Sequence, residues 1–294
     1  MARKVLVIGG TRYFGKRLVS LLLQNGDQVT LANRGHTPFQ FEKPVRHIKV
    51  DRTHDQEFKK AFASESFDLV FDQFCYSPNE ARSACETFNG RIARYIYTST
   101  LSIYPSVGEF HETDVDPLRC EFSYGSKNDF SYSDAKRFAE AAFFKNATFP
   151  VAAARIPLVF GEDDYTGRLD FHIERILKGR PIVIPSLNTR ISLIHAQDAA
   201  NFLFWLGSSF FTGALNGAAP TPISMGELIA LISKLAGKTP IIQTKGLEED
   251  ETPIADFDSR YLNVERALAL GCPLRDLNEW LEPLVRQRVH ALQR

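Results

Sequence analysis

Hydrophobic residues in the first half of the chain form short continuous runs that alternate with segments of helical spacing. Residues 5–8 are all apolar, as expected for a parallel strand that is covered on both faces. Residues 14–25 then place Leu18, Leu21 and Leu22 on one helical face, before Asn25-Gly26 ends the helix. The same alternation predicts strands at 28–32, 45–50, 68–71, 95–98 and 151–156, and helices at 56–63, 78–88 and 133–145.

This order of elements is typical of an α/β protein with a Rossmann-type, doubly wound parallel sheet. After residue 160 the pattern is less regular and glycine and proline interrupt it more often. We therefore predict a first domain over residues 1–160 and a smaller C-terminal lobe over 161–294, which can interleave with the first and mainly binds substrate. The lobe's predicted helices are 169–178, 196–206, 224–235 and 277–292, and its short strands are 181–184, 191–194 and 241–243.

Composition narrows the classes of function. The 294 residues have a formal net charge of zero and contain no block of Lys or Arg, which disfavours binding to nucleic acid through a basic surface. No apolar stretch is long enough to span a membrane, and the N-terminal apolar run is too short for a signal peptide. Four widely separated cysteines lack metal-ligand spacing, so we expect no metal and a cytoplasmic protein with reduced thiols: Cys75, Cys85, Cys120 and Cys272.

A glycine-rich turn connects the first predicted strand to the first predicted helix. Gly9 and Gly15 occupy the outer positions of a Gly-x-x-Gly-x-x-Gly spacing, and Arg12 replaces the middle glycine. Glycine permits close approach to a phosphate, and the first amides of a helix attract an anion. A strand before the turn and a helix after it favour dinucleotide binding over a purely structural turn.

The end of the second strand indicates which dinucleotide is bound. NAD sites usually carry Asp or Glu there, whereas NADP sites supply cations for the 2′-phosphate. Asn33-Arg34 stands at this position, and Arg12 comes from the neighbouring turn, so two guanidiniums could bind the 2′-phosphate. We predict NADP rather than NAD, the alternative being that Arg34 is a solvated loop residue. Asp51, at the end of the third strand, either accepts from the adenine amino group or caps the next helix.

A second group of residues has acid–base chemistry. Tyr132 and Lys136 are four residues apart, which places both on one face of a helix. An ammonium close to a phenol lowers the phenol pKa and lets it act as a general acid or base. The upstream pair Tyr124 and Lys127 has a spacing of three and no clear helix start, so we reject it. Residues 98–100 end the fifth strand and offer hydroxyls, either for the site or simply as polar strand-end residues.

Together these motifs resemble the extended short-chain dehydrogenase/reductase family, the NAD-dependent epimerase/dehydratase-like proteins, over nearly the whole chain. Residues 98–104, 155–161, 190–198 and 258–273 also resemble family segments, in the family's order. The resemblance implies that Thr100 is the catalytic hydroxyl and contacts substrate, that Tyr132 and Lys136 are catalytic, and that Arg190 holds an anionic group of the substrate.

The resemblance also implies a small-molecule substrate and a homodimer as in related members. It implies that Lys136 holds the nicotinamide ribose, besides acting on Tyr132. The complete set of cofactor-binding residues that we predict is Gly9, Thr11, Arg12, Tyr13, Phe14, Gly15, Asn33, Arg34, Asp51, Arg52, Gln73, Phe74, Thr98, Lys136 and Pro157.

Two departures from the family pattern refine the prediction. The turn and the Asn-Arg-Gly segment resemble an atypical branch of the family that includes chloroplast stem-loop RNA-binding proteins. Many members of that branch lack the Tyr/Lys pair, which this chain keeps. Leu101 and Ser102 replace the Asp-Glu pair of dehydratases, which disfavours sugar dehydration. We predict an NADP(H)-dependent oxidoreductase. The alternatives are a nucleotide-sugar epimerase and a non-catalytic NADP-sensing or RNA-associated protein.

Overall fold

The computed structural model describes residues 2–105, 107–254 and 258–293. Its strands are β1 Lys4–Ile8, β2 Gln28–Asn33, β3 Arg46–Lys49, β4 Leu69–Asp72, β5 Tyr95–Thr100, β6 Gly108–Phe110, β7 Val151–Ile156, β8 Leu158–Phe160, β9 Pro181–Val183, β10 Arg190–Ile191, β11 Leu193–His195, β12 Gly213–Asn216, β13 Ile223–Ser224, β14 Ile241–Gln243 and β15 Arg260–Leu262. Its α-helices are α1 Tyr13–Gln24, α2 Asp55–Ala61, α3 Pro78–Phe88, α4 Tyr132–Asn146, α5 Arg168–Lys178, α6 Ala196–Ser208, α7 Met225–Ala236, α8 Glu265–Ala269 and α9 Leu277–Leu292.

The central sheet has the order β12-β7-β5-β4-β1-β2-β3 in the described part of the chain. Every neighbouring pair of these strands is parallel. Strand order reverses on either side of β1, and ligands of such sheets bind beyond the carboxyl ends of the strands at that reversal. The predicted fold class, a Rossmann-type doubly wound parallel sheet, is confirmed.

Helix starts in this sheet follow from capping residues in the sequence. Ser77 accepts the Glu80 amide at 3.3 Å and Pro78 occupies the first turn, so α3 begins where the sequence predicts. Ser131 accepts the Asp134 amide at 3.1 Å. This cap starts α4 at Tyr132, one residue earlier than we predict from the spacing, and makes Tyr132 the first residue of the helix.

The chain divides into two compact units. The first comprises Met1–Pro105, Glu112–Ile156 and Ala199–Asn216, and its core contains the buried rings of Phe58, Phe62, Phe88 and Phe143. The second comprises Ser106–His111, Pro157–Asp198 and Gly217–Arg294, and the buried faces of α5, α7 and α9 form its core. The predicted boundary at residue 160 stays a prediction.

The second half departs from the pattern where residues far apart in the chain pair with one another. The predicted strand 191–194 is broken at Ser192, whose hydroxyl accepts the Leu262 amide at 2.9 Å, so β10 and β11 are separate. Strand β12 joins the central sheet beside β7. Its four residues are too few, and mostly too small, for the sequence pattern to indicate a strand.

No helix in the described residues is both long enough and apolar enough to cross a membrane.

Candidate active site

The turn between β1 and α1 needs glycine at its centre. Gly10 has φ +80°, a conformation that residues with a Cβ rarely adopt. A Cβ at Gly10 would lie 2.8 Å from Leu31 Cδ2 and 2.9 Å from Val7 Cγ1. Tyr13, which opens α1, also has a positive φ of 52°, so the turn holds a non-glycine residue in a strained conformation.

Helix α1 has an open, electropositive start. Its N-cap is Arg12, whose side chain makes no capping hydrogen bond, and its first turn contains no acidic residue. The first amides of a helix have no partner within the helix and carry its positive dipole end. The predicted residues Thr11, Arg12, Tyr13, Phe14 and Gly15 therefore surround a helix start that suits an anionic group.

The loop after β2 folds back onto this turn. Arg12 Nε donates to Thr37 Oγ1 at 3.0 Å, which places the Arg12 side chain against the loop that carries Arg34. Asn33 Oδ1 accepts the Gly35 amide at 2.8 Å, whereas its buried Nδ2 has no hydrogen-bond partner among the described residues. The two predicted cations, Arg12 and Arg34, thus lie on adjoining segments. The side-chain amide of Asn33, the residue before Arg34, has an N–H group without a partner among the described residues.

Asp51 stays ionised at the end of the third strand. Burial acts to raise its pKa, but hydrogen bonds from the Thr53 hydroxyl and amide, at 2.7 and 3.0 Å, and the charges of Arg34 and His54 hold the pKa below its ordinary value. Helix α2 begins later and has His54 as its N-cap, so the Asp51 carboxylate does not cap it.

Arg52 directs its side chain into the core. Its side chain is only 3% exposed, its guanidinium pairs with Asp72, and Nη2 donates to the Glu80 carbonyl at 2.8 Å. The Tyr95 hydroxyl also donates to Asp72, at 2.5 Å. The guanidinium binds within this buried network. The geometry therefore gives little support to the prediction that the Arg52 side chain binds the cofactor.

The same network fixes the loop between β4 and α3. Asp72 Oδ1 accepts the Phe74 amide at 2.9 Å, and Glu80 Oε2 accepts the Tyr76 amide at 2.7 Å. Gln73 lies over the glycine turn, where a Cβ on Gly15 would collide with its Oε1. Phe74 remains 45% exposed although its backbone is held by a buried carboxylate. The loop therefore presents Gln73 and Phe74 in fixed positions.

Lys136 brings a positive charge to the ends of two strands. It is 3% exposed, and Nζ donates to the Thr98 carbonyl at 2.7 Å and to the Cys75 carbonyl at 2.9 Å. Burial lowers its pKa to about 8, against the opposing effect of the negative groups around it. An ammonium has three hydrogens. Among the described residues two carbonyls accept from Lys136 Nζ, which leaves one N–H for a ligand.

Tyr132 lies one helical turn before Lys136 and is 54% exposed. Its ring centroid is 6.3 Å from that of Tyr76. Thr100, at the end of β5, accepts the Ser102 amide at 3.2 Å and is half-buried. Its neighbour Ser99 is turned into the core, where its hydroxyl donates to Glu140 at 2.5 Å. Of the two, only Thr100 is open to a substrate.

Two predicted residues, Pro157 and Arg190, belong to the second unit, whereas Gly9 belongs to the first. Pro157 directly follows β7. Arg190 starts β10 and is exposed, with Cζ 5.6 Å from the Tyr261 ring centroid and Nη2 3.5 Å from the Pro222 carbonyl oxygen. Its predicted role as an anion-binding residue stays a prediction.

Sequence reasoning missed Tyr76 at this site. Its ring centroid lies 5.0 Å from Lys136 Nζ. The sequence does contain a signal, a run of aromatic residues just after a buried strand. The predicted site includes Phe74 from this run but not Tyr76. Among the described residues, no group of His, Cys, Asp and Glu could hold a metal ion.

Comparisons with known proteins identify the fold and the family. The Arabidopsis thaliana protein "Chloroplast stem-loop binding protein of 41 kDa b" is 27% identical over 70% of this chain, which spans only 56% of that protein's length. The "2-alkyl-3-oxoalkanoate reductase" of Stenotrophomonas maltophilia is 27% identical over 76% of this chain and 71% of its own. The Thermus thermophilus UDP-glucose 4-epimerase in complex with NAD has a TM-score of 0.72 at 20% identity, with 99% of both chains covered, and shows the fold.

The family model with the description "NAD dependent epimerase/dehydratase family" matches residues 5–216, which include the glycine turn, the β4–α3 loop and the Tyr132/Lys136 pair. The match covers well over half of the chain. The chain therefore belongs to the NAD-dependent epimerase/dehydratase family, as its motifs predict.

Proposed function

We propose that the protein is an NADP(H)-dependent oxidoreductase that transfers a hydride at a carbonyl or hydroxyl carbon. One observation carries the proposal. Lys136 donates to the Thr98 and Cys75 carbonyls, which leaves one N–H without an acceptor among the described residues, one helical turn from the exposed Tyr132. A buried lysine is costly to maintain, so its presence beside an exposed phenol favours a catalytic role.

The predicted residues fit a dinucleotide. Asn33 Nδ2, Gln73 Nε2 and Thr98 Oγ1 are buried side-chain atoms without hydrogen-bond partners among the described residues. They belong to β2, the residue after β4, and β5, whose carboxyl ends are where such sheets bind ligands. Buried polar atoms normally have partners, and a bound dinucleotide would supply them.

The protein's own groups then have distinct roles. Tyr132 exchanges a proton with the substrate oxygen, and Thr100 donates a hydrogen bond that orients that oxygen. Lys136 holds the nicotinamide ribose and keeps a positive charge near the Tyr132 phenol. The nicotinamide supplies or accepts the hydride when bound.

NADP preference rests on Arg12 and Arg34. The Arg12 side chain contacts the loop that carries Arg34, and the Arg34 charge acts on Asp51 at the next strand end. Planar guanidinium groups bind phosphate through several hydrogen bonds, and Asn33 replaces the carboxylate that NAD sites use for the ribose. NADP preference in turn favours net reduction over epimerisation, because an epimerase recycles a tightly held NAD.

A 3-oxoacid reductase among the relatives supports a carbonyl substrate. The chloroplast relative is named for stem-loop binding, but the present chain has zero net charge, which disfavours electrostatic RNA binding. A homodimer and a cytoplasmic location stay predictions. Light scattering after gel filtration tests the dimer, and fractionation of the source cells tests the location.

Tyr132→Phe tests the catalytic proposal. A panel of aldehydes, ketones, 3-oxoacids and nucleotide sugars is first screened with wild-type protein and NADPH. With the best substrate, Tyr132→Phe should lower kcat by roughly 100-fold or more, because general acid catalysis is lost, and change the NADPH Kd by less than about twofold.

Tyr124→Phe is the matched control, since Tyr124 is also an exposed tyrosine but lies outside α4 and packs on Arg82. Unchanged turnover in Tyr132→Phe would contradict the proposal. Epimerised product without net oxidation of NADPH would favour the epimerase alternative. Stem-loop RNA binding with no turnover of any panel compound would favour the RNA-associated one.

A further inference from the structure

The ammonium of Lys136 is enclosed by aromatic rings as well as by carbonyls. Nζ lies 4.4 Å from the Tyr97 ring centroid and 5.0 Å from that of Tyr76, and both distances are within the range of cation–π attraction. Tyr97 belongs to the core strand β5 and is fully buried. Tyr76 lies in the β4–α3 loop and is only half-buried.

Tyr76 also contacts the other member of the pair. Its ring centroid is 6.3 Å from that of Tyr132, with an interplanar angle of 47°, and its ring is 5.2 Å from Phe74 in an edge-to-face arrangement. One aromatic ring thus touches both the ammonium and the phenol ring that the proposed reaction uses.

Buried charged residues fix the backbone that carries the Tyr76 ring. The Tyr76 amide donates to Glu80 Oε2 at 2.7 Å, and Glu80 is held by the buried Arg52, whose Nη2 donates to the Glu80 carbonyl. The next carbonyl back along the loop, that of Cys75, accepts from Lys136 Nζ. Backbone and ring of the same loop therefore hold the ammonium together.

We propose that Tyr76 is a positioning residue, whose ring face holds the Lys136 ammonium in place and keeps it at a set distance from Tyr132. The proposal rests on the proposed function for its catalytic meaning, but the contact itself can be tested without cofactor or substrate. The acidic and thiol groups that also act on the ammonium are Asp72 of β4, Cys75 of the loop, Glu80 of α3 and Glu140 of α4. A change of Tyr76 to an apolar residue leaves all of them in the chain.

The test is a titration of Lys136 by NMR in protein labelled at lysine Cε, with the resonance identified by its loss in Lys136→Arg. Wild-type protein should titrate near pH 8, the pKa that burial gives this lysine. Tyr76→Leu removes the ring face, so the ammonium loses cation–π stabilisation, and the midpoint should fall by about one pH unit. Tyr76→Phe keeps the ring face and should leave the midpoint within roughly 0.3 units of wild type.

The matched control is Tyr124→Leu, which removes a cation–π contact with Arg82, at 4.3 Å, and should not move the Lys136 midpoint. Tyr76→Met replaces Tyr76→Leu if the latter fails to fold. An unchanged midpoint in the ring-deleting variant would overturn the proposal. A raised midpoint would also overturn it, because the ring would then act only by excluding water.

Activity separates this inference from the proposed function. If the titration behaves as expected and NADPH neither binds nor is oxidised, Tyr76 positions Lys136 but the proposed reaction is wrong. If NADPH supports turnover and Tyr76→Leu leaves both the midpoint and the kcat pH profile unchanged, the inference fails while the proposed function stands.

Discussion

At the scale of single residues, the site depends on charged groups with fixed surroundings. Lys136 is buried among carbonyls and rings, and Asp51 stays ionised through Thr53 and nearby cations. Arg52 has its charge neutralised inside by Asp72. Arg12 belongs to the glycine turn and Arg34 to the loop that Arg12 contacts through Thr37, and cofactor choice is argued at these two residues.

Replacing both Arg12 and Arg34 by alanine should weaken NADPH binding by about 100-fold or more, since hydrogen bonds to charged groups contribute about 1.5–3 kcal/mol each. NADH lacks the 2′-phosphate, so its Kd should change by less than about threefold. Fluorescence titration of both cofactors measures the effect.

The control for this pair is Arg119→Ala, because the Arg119 side chain is highly exposed and forms an ion pair with the nearby Asp116. Equal weakening of NADPH and NADH would rule out a phosphate clamp and leave Arg34 as a solvated loop residue.

At the scale of elements, the turn from β1 to α1 is set by backbone conformation and close packing together. Gly10 and Gly26 offer a natural comparison, because their φ values are +80° and +86°, but only Gly10 has neighbours that a Cβ would strike. Gly26 has nothing within 4 Å.

Gly10→Ala should therefore lower the free energy of unfolding by about 1–3 kcal/mol more than Gly26→Ala does, the excess being the cost of overpacking against Leu31 and Val7. Urea unfolding followed by circular dichroism measures both variants. Similar losses in the two would show that the turn tolerates a side chain and that only φ matters.

Helix α5 contains a second element-scale feature, the buried His172. Nδ1 faces the Arg168 carbonyl at 2.9 Å and therefore carries the proton, so Nε2 accepts the Thr252 hydroxyl at 2.8 Å. Burial lowers the pKa of His172 to about 4. Its ordinary value is about 6.5, so the unfolded chain takes up the proton first as pH falls.

Neutral His172 makes its full contribution to the free energy of unfolding above pH 6.5. As the pH falls towards 4, this contribution decreases by about 3 kcal/mol. In His172→Gln the loss of stability over this window should be smaller by that amount. With Trp205→Phe as background, the fluorescence of Trp280, which is in the same unit, reports the unfolding. An equal pH dependence with and without His172 would contradict the assignment, and His290→Gln controls for an exposed histidine.

The same scale shows how far sequence reasoning reaches. Elements with a clear period or cap, such as α3 and β7, are predicted at their observed bounds, because the signals lie within the segment itself. Strand β12 and the break at Ser192 depend on partners far along the chain, Ala152 and Leu262, so no local pattern reveals them. The aromatic run after β4 is visible in the sequence, but the contact of Tyr76 with Lys136 is not, because Glu80 and Arg52 fix the loop that makes it.

At the scale of the whole molecule, the fold and the family involve far more of the chain than the site does. The parallel sheet and the family match follow from most of the chain. The reaction rests on a few side chains of one unit, together with three unsatisfied polar atoms at neighbouring strand ends. The central claim is that these side chains support net hydride transfer from NADPH.

Deuterium transfer tests this claim most directly. NADPH labelled with deuterium at both C4 positions is incubated with the protein and the carbonyl panel, and products are analysed by mass spectrometry. The account predicts an alcohol one mass unit heavier from wild-type protein and roughly 100-fold less of it from Tyr132→Phe. A panel with no labelled alcohol, although NADPH binds to the protein, would contradict it.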